Sequence, residues 1–291
     1  MKHKYNSEHS IETSHGMLIW CESCGFWHMH PYLPVQQVTN LYADHYIDPL
    51  KKRGIQDKIQ RISTYIKQTN HRGTVSLLDI GCGFGDLLLE AQTQGMHVQG
   101  VEPSKHMSQH VKKQGIPVLE AMYQDVDPRK VGRFDVVNLS YILEHVSDPY
   151  SFLERILTNQ LNPGGLLIVE VPNDFSPFQE AAVASLNIPR WWIKLPDHQN
   201  YFSHETLPTM LRRLGMDIWH QTTGFPIDIF LLMGDDYISQ PDQGKDCHAK
   251  RVAFEDALDQ HGFTTLRREL YDRLAEVGVG REVICYAQKP T

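Results

Sequence analysis

The stretch Leu77-Leu78-Asp79-Ile80-Gly81-Cys82-Gly83-Phe84-Gly85-Asp86 constrains this chain more than any other. Val75 to Ile80 is a short apolar run, which suits a parallel strand buried on both faces. It passes directly into three alternating glycines, and a helix is expected over residues 86–94, closed by Gly95. Glycine reaches backbone angles closed to other residues and lets a ligand rest against the main chain. The N-terminus of the helix that follows offers unpaired N–H groups and a partial positive charge. A strand, a glycine turn and a helix in that order open a βαβ unit that binds a nucleotide or nucleoside.

The residues downstream keep that rhythm. Strands are expected at 97–102, 134–140, 166–171, 216–223 and 282–288. Helices are expected at 104–114, capped by Ser104, at 149–161, and at 203–214, with Ser203 as cap and Thr206 three residues on. Asn162-Pro163-Gly164-Gly165 reads as the turn before the 166–171 strand. The alternation predicts an α/β fold: a Rossmann-like, doubly wound, mostly parallel seven-stranded sheet with helices on both faces. Residues 1–35 form a Cys/His-rich N-terminal segment, and residues 36–224 form the core, beginning with a helical lead-in at 36–72. Residues 225–280 form a helical insertion with helices near 248–260 and 264–277, and residues 281–291 carry the final strand of the core.

Composition narrows the function classes. Of 291 residues, 41% are hydrophobic and 22% charged, so a sizeable core is affordable. The net charge of -7 and the lack of a basic stripe argue against a nucleic-acid partner. No apolar run approaches the roughly 20 residues that span a bilayer, and the N-terminus does not read as a secretory signal. Five cysteines make an odd set that suggests no disulfide framework, so a cytoplasmic location is expected.

A second motif sharpens the ligand. Gly100-Val101-Glu102-Pro103-Ser104 places Glu102 at the end of the second strand, 17 residues after Gly85. A carboxylate there can accept both hydroxyls of a ribose. The glycine turn departs from the dinucleotide fingerprint: one residue, not two, precedes the third glycine, and Asp86 stands where a pyrophosphate would sit. Together these favour a nucleoside carrying an amino-acid tail.

These segments resemble the Rossmann-like (class I) S-adenosylmethionine-dependent methyltransferases, over about residues 36–223 plus the strand near 282–288. Residues 79–85 look like their first motif and 101–104 like their ribose motif. Phe134-Asp135-Val136-Val137-Asn138 looks like the fourth-strand motif, and residues 162–167 look like the turn before strand five. The resemblance implies that Asp79, Gly81, Cys82, Gly83 and Gly85 line the methionine portion, while Glu102 and Pro103 hold the ribose. It places Met107, Glu120 and Ala121 around the adenine, Leu139 and Ser140 on the sulfonium side, and Tyr46 against the cofactor carboxylate. Tyr141-Ile142-Leu143-Glu144-His145-Val146 is similar to a segment of small-molecule enzymes, the ubiquinone-type O-methyltransferases among them. In those a Glu three residues before the Glu-His pair completes a divalent-metal site; here that position is Tyr141.

Methyl transfer to a hydroxyl needs alignment and a base near neutral pKa. The candidates are His145, and His198 with Tyr201 in the segment Pro196-Asp197-His198-Gln199-Asn200-Tyr201. Each of these could instead serve only to anchor its loop. Trp191 and Trp192 read as core or lid, and residues 225–233 as packing of the insertion onto the sheet or onto a partner subunit in a homo-oligomer. Trp20-Cys21-Glu22-Ser23-Cys24-Gly25-Phe26 looks like half of a zinc ribbon, which a subgroup of sugar and natural-product methyltransferases carries in full. A tetrahedral structural zinc needs four ligands, and His9, His15, His28 or His30 could complete the set with Cys21 and Cys24. The expected function is methyl transfer from S-adenosylmethionine to a small polar acceptor, by O-methylation, with sugars or secondary-metabolite building blocks first. The alternatives are a tRNA- or protein-modifying methyltransferase, a non-catalytic S-adenosylmethionine-binding scaffold and, more remotely, an NAD-dependent oxidoreductase.

Overall fold

The structure is a computed structural model that describes residues 5–33 and 52–291. Tyr46 and the first part of the helical lead-in lie outside the described residues. The chain divides into two compact bodies. Residues up to Pro31, Glu170–Met210 and His220–Cys285 form the first, and Tyr32–Val169, Leu211–Trp219 and Tyr286–Thr291 form the second.

Eleven strands are described. β1 (Tyr5–Thr13), β2 (Gly16–Cys21) and β3 (Phe26–His30) join β9 (Asn200–Tyr201) in a four-stranded sheet. The other seven are β4 (Ser76–Ile80), β5 (His97–Val101), β6 (Val118–Leu119), β7 (Phe134–Ser140), β8 (Leu161–Pro172), β10 (Asp217–Thr222) and β11 (Glu282–Gln288). They form the expected seven-stranded sheet, in the order β10-β11-β8-β7-β4-β5-β6. β4 lies between β7, the central strand, and β5, and both neighbours run parallel to it. Four of its five residues are buried, which requires cover on both faces of the sheet. Its register sets Asp79 level with Gly100 on one side and Asn138 on the other.

The helices are α1 (Lys52–Gln68), α2 (Asp86–Thr93), α3 (Lys105–Lys113), α4 (Pro128–Val131), α5 (Pro149–Asn159), α6 (Pro177–Leu186), α7 (Thr206–Arg213), α8 (Ile229–Leu232), α9 (Pro241–Gln260) and α10 (Thr264–Glu276). Their starts follow from local chemistry. The Ser104 hydroxyl accepts from the Met107 amide, and Asp148 caps α5 with Pro149 at the first turn, where its missing N–H is no loss. Ser203 and Thr206 exchange bonds: the Ser203 amide donates to Thr206 Oγ1 at 2.8 Å and the Thr206 amide to Ser203 Oγ at 3.3 Å. α9 and α10 form a hairpin inside the 225–280 segment, tied by Tyr271 donating to Glu255 Oε1 at 2.7 Å and the buried Arg267 to Asp259 at 2.8 Å.

Three features differ from the sequence expectation. β8 begins at Leu161 rather than 166, because Gly164 and Gly165 pair with Lys289: Gly164 N–H donates to the Lys289 carbonyl at 3.0 Å and Lys289 N–H to the Gly165 carbonyl at 2.9 Å. The N-terminal segment is a meander of strands, and α6 is an additional helix, begun by a Ser176–Gln179 capping box. Among the described residues no helix is long and apolar enough to cross a membrane.

His204, in the first body, is buried, with Nδ1 2.7 Å from Gln221 Nε2. Burial disfavours its cation and lowers its pKa to about 4. The unfolded chain therefore takes up a proton near pH 6.5 that the folded chain refuses until about pH 4. The stabilising effect is complete above pH ~6.5 and is lost as pH falls through that window, at up to about 1.4 kcal/mol per pH unit. We expect denaturant midpoints to fall from pH 6.5 to 4, and the slope to flatten in His204→Gln; an unchanged slope would refute the assignment to this imidazole.

Candidate active site

The cofactor candidates lie in the second body, at the carboxyl ends of β4, β5 and β7. As the chain leaves β4, Gly81 N–H donates to the Val101 carbonyl at 2.7 Å, which ties the turn to the end of β5. Gly83 has φ +54, and a Cβ built on it would meet no atom within 4 Å. Its open side is a space a ligand can enter against bare backbone. Gly85 serves packing instead, since a Cβ there would come within 2.8 Å of Val111 in α3.

Glu102 is buried directly after β5. Its Oε2 accepts the Gly83 amide at 2.9 Å and its Oε1 the Ser104 amide at 2.8 Å. A carboxylate has about four lone-pair positions, so one on each oxygen can still take a hydroxyl. Burial pushes the Glu102 pKa up, and the Ser104 and Gly83 amides draw it partly back. Cys82 is also buried; desolvation, with the charges of Asp79 and Glu102, drives its thiol pKa far up and keeps it neutral.

Lys58 belongs to this site, although sequence reasoning did not single it out. It is buried on α1, and its ammonium donates to Ser140 Oγ at 2.6 Å. Asn138 Nδ2 in turn donates to the buried Asp79 at 2.7 Å. The signal was present: Lys58 falls in the stripe of Ile55, Ile59, Ile62 and Tyr65, where a helix facing a core holds apolar side chains.

The remaining candidates fall as follows. Pro103, Met107 and Ala121 are half-buried. Glu120 is exposed, and its carboxylate accepts from Ser108 at 3.0 Å and pairs with Lys112 at 3.5 Å. Leu139 is fully buried and Ser140 is half-buried. Tyr141 holds φ +56, a strained angle for an aromatic residue, at the point where the chain leaves β7. Beyond it Glu144 is buried, and its Oε1 lies 3.7 Å from His145 Nε2. The Ile142 side chain abuts Gly81 so closely that a Cβ there would collide with it, so this segment packs on the glycine turn.

In the first body His198 and Tyr201 lie together, with ring centroids 6.4 Å apart. Tyr201 is buried and its hydroxyl accepts the Lys194 amide at 2.9 Å, which makes it an anchor of the 194–201 loop. Trp192 is core, in edge contact with Phe175. Cys21, Cys24 and His28 converge: one potential ligand atom from each lies within 4.8 Å of the others. His9 and His15 are exposed.

A glycine turn against a buried carboxylate on a mostly parallel sheet defines a Rossmann-like nucleoside-binding enzyme. The residues fit S-adenosylmethionine: open backbone at Gly83, lone pairs on Glu102, and buried carboxylates suited to a cation. A family profile described as a methyltransferase domain matches residues 44–221. The ubiquinone biosynthesis O-methyltransferase of Bradyrhizobium sp. (strain ORS 278) is 33% identical over 182 residues, covering 60% of this chain and 69% of that protein. The same-named protein of Bradyrhizobium diazoefficiens (strain JCM 10833 / BCRC 13528 / IAM 13628 / NBRC 14792 / USDA 110) is 32% identical over 155 residues, covering 50% and 60%. Among solved structures, the plantazolicin methyltransferase BpumL in complex with a monoazolic desmethylPZN analog and SAH superposes with a TM-score of 0.54. It is 15% identical, over 88% of this chain and 90% of that one, and so supports the fold. The chain belongs to the methyltransferase domain family, and it is an S-adenosylmethionine-dependent class I methyltransferase.

Two substitutions test the pocket by titration calorimetry. Glu102→Gln is expected to weaken S-adenosylmethionine by about 10- to 100-fold, the worth of hydrogen bonds to a charged acceptor. Gly83→Val, whose side chain would meet ligand rather than protein, is expected to weaken it at least as much. Wild-type affinity in both would rule out this pocket.

Proposed function

We propose that the enzyme methylates an oxygen of a small polar acceptor, with sugars and secondary-metabolite building blocks as the acceptor classes, and that His145 is the general base. The observation that carries this is the contact of Ile142 with Gly81, which seats the turn bearing Glu144 and His145 on the cofactor loop. The names of the two Bradyrhizobium relatives support oxygen as the atom methylated.

S-adenosylmethionine supplies a methyl carbon made electrophilic by its sulfonium. The chain has to hold the acceptor in line and remove its proton. His145 takes the proton of the attacking hydroxyl, and the Glu144 carboxylate, 3.7 Å from its Nε2, stabilises the imidazolium that results. Glu102 holds the ribose, while Asp79 and Lys58 set charge around the amino-acid tail. His198 binds the acceptor, and Tyr201 fixes the loop that carries it. A carboxylate at position 141 would be needed for a metal set like that of the ubiquinone-type enzymes, and Tyr141 does not provide one.

His145→Ala is expected to lower kcat by about 10²- to 10⁴-fold, as loss of a general base does. Its S-adenosylmethionine affinity should stay within about twofold of wild type, because the cofactor contacts are untouched. His198→Ala is expected to raise the acceptor KM more than it lowers kcat. The measurement is transfer of labelled methyl to phenolic, sugar and amine acceptor pools. Full activity in both variants, or transfer only to amines, would overturn the assignment.

A further inference from the structure

We propose that Cys21, Cys24 and His28 form a structural zinc site that fixes the segment carrying His198. The second clause of this proposal rests on the reading of His198 as an acceptor-binding residue; the metal site does not.

Two thiolates and an imidazole are a soft donor set of the kind zinc takes. All three side chains are buried, and one potential ligand atom from each lies within 4.8 Å of the others. Bonds of about 2.3 Å to sulfur and 2.0 Å to nitrogen put tetrahedral donors roughly 3.6–3.8 Å apart, so small side-chain rotations close the set. Neither cysteine is in a disulfide.

The surroundings arrange the donors for ligation. Cys24 N–H donates to Cys21 Sγ at 3.4 Å, which orients that sulfur within the knuckle. The chain then turns through Gly25, at φ +81, with Gly25 N–H on the Cys21 carbonyl at 2.7 Å. This knuckle brings two sulfurs three residues apart to one side of the β2–β3 hairpin. His28 Nδ1 lies 2.8 Å from the Met29 carbonyl. A carbonyl only accepts, so Nδ1 carries the ring proton and Nε2 is the basic nitrogen, the tautomer a metal takes. Buried Phe26 and Phe202, with centroids 4.8 Å apart, make the neighbourhood apolar, which strengthens metal–thiolate attraction. Of the histidines the sequence offered, His9 and His15 are exposed, and His28 is the one that joins the cysteines.

Placement gives the site its role. β3 pairs with β9 in the register Trp27↔Tyr201 and His28↔Asn200, and Met29 N–H donates to the Gln199 carbonyl at 2.7 Å. A ligand of the proposed metal thus lies on the strand that is hydrogen-bonded to residues 199–201, directly after His198. Zinc would lock the hairpin, and the hairpin would hold the loop.

The test uses the full chain, purified without added metal and analysed by elemental mass spectrometry. About one zinc per chain is expected. His28→Ala and Cys24→Ser should lose it, while His15→Ala should keep it. Calorimetric S-adenosylmethionine affinity, read on each variant, shows that the rest of the chain is folded. The chelated wild type, titrated with cobalt(II), should develop the intense visible bands of a tetrahedral centre and the near-ultraviolet charge transfer of thiolate ligation. Zinc-free protein that gives only the weak spectrum of hydrated cobalt would overturn the site and leave the cysteines as core thiols. Undiminished zinc in His28→Ala would overturn His28 as a ligand. A raised acceptor KM with unchanged cofactor affinity in the chelated enzyme supports the clamp, and an unchanged KM refutes it. Metal content is read without turnover, so the site stands or falls separately from the proposed reaction.

Discussion

The carboxylate of Glu102, held by the Gly83 and Ser104 amides, is the interaction on which the site depends. One oxygen reaches back to the glycine turn after β4 and the other caps the entry to α3. A single side chain thereby fixes the distance between the open backbone at Gly83 and the buried carboxylate after β5. The arrangement is possible only because β4 and β5 are parallel neighbours in register, with Ile80 opposite Val101. Gly81 and Cys82 then both donate to the Val101 carbonyl, so the turn is stitched to β5 at its root before Glu102 reaches it. Pre-set hydrogen bonds of this kind hold a buried charge in place and spare the ligand the cost of ordering it.

The sheet was legible because its signals are local and repeated. β7 and β11 occupy the residues their apolar runs predict, and β5 differs by one residue. Each run is short and lies within a β-α-β alternation, which places it as a strand of a parallel sheet. What was not legible depends on pairing partners far away in sequence. β9 is two residues long and is a strand only because β3 lies beside it. The 162–165 turn became strand because Lys289, over 120 residues downstream, supplies its hydrogen bonds.

The same distinction divides the site. The glycine turn and Glu102 could be read from spacing, since a tight turn and a carboxylate one strand away are sequence-local demands. Lys58 could not, because its partner Ser140 is 82 residues away and a lysine on a helix reads as solvated until the helix is placed. His28 was one of four equal choices until the β2–β3 hairpin closed. Buried polar residues are thus the part of a site that a sequence marks only by being out of pattern.

The charges around the glycine turn in the second body suit a cationic ligand better than a pyrophosphate. Asp79 and Glu102 are both buried near its ends, and Lys58 is the one buried lysine among the described residues. Lys58 reaches Ser140 and, at 3.5 Å, Asn138, which is bound in turn to Asp79, so one carboxylate is linked to the cation through that chain. Cys82, held neutral by burial and then by those same carboxylates, adds no charge. The site therefore carries an excess of negative charge in a low-dielectric setting, where a further dianion would be repelled strongly. A ligand with a sulfonium, an ammonium and one carboxylate brings net positive charge and offsets that excess. After transfer the sulfur is neutral and the product retains less of the attraction.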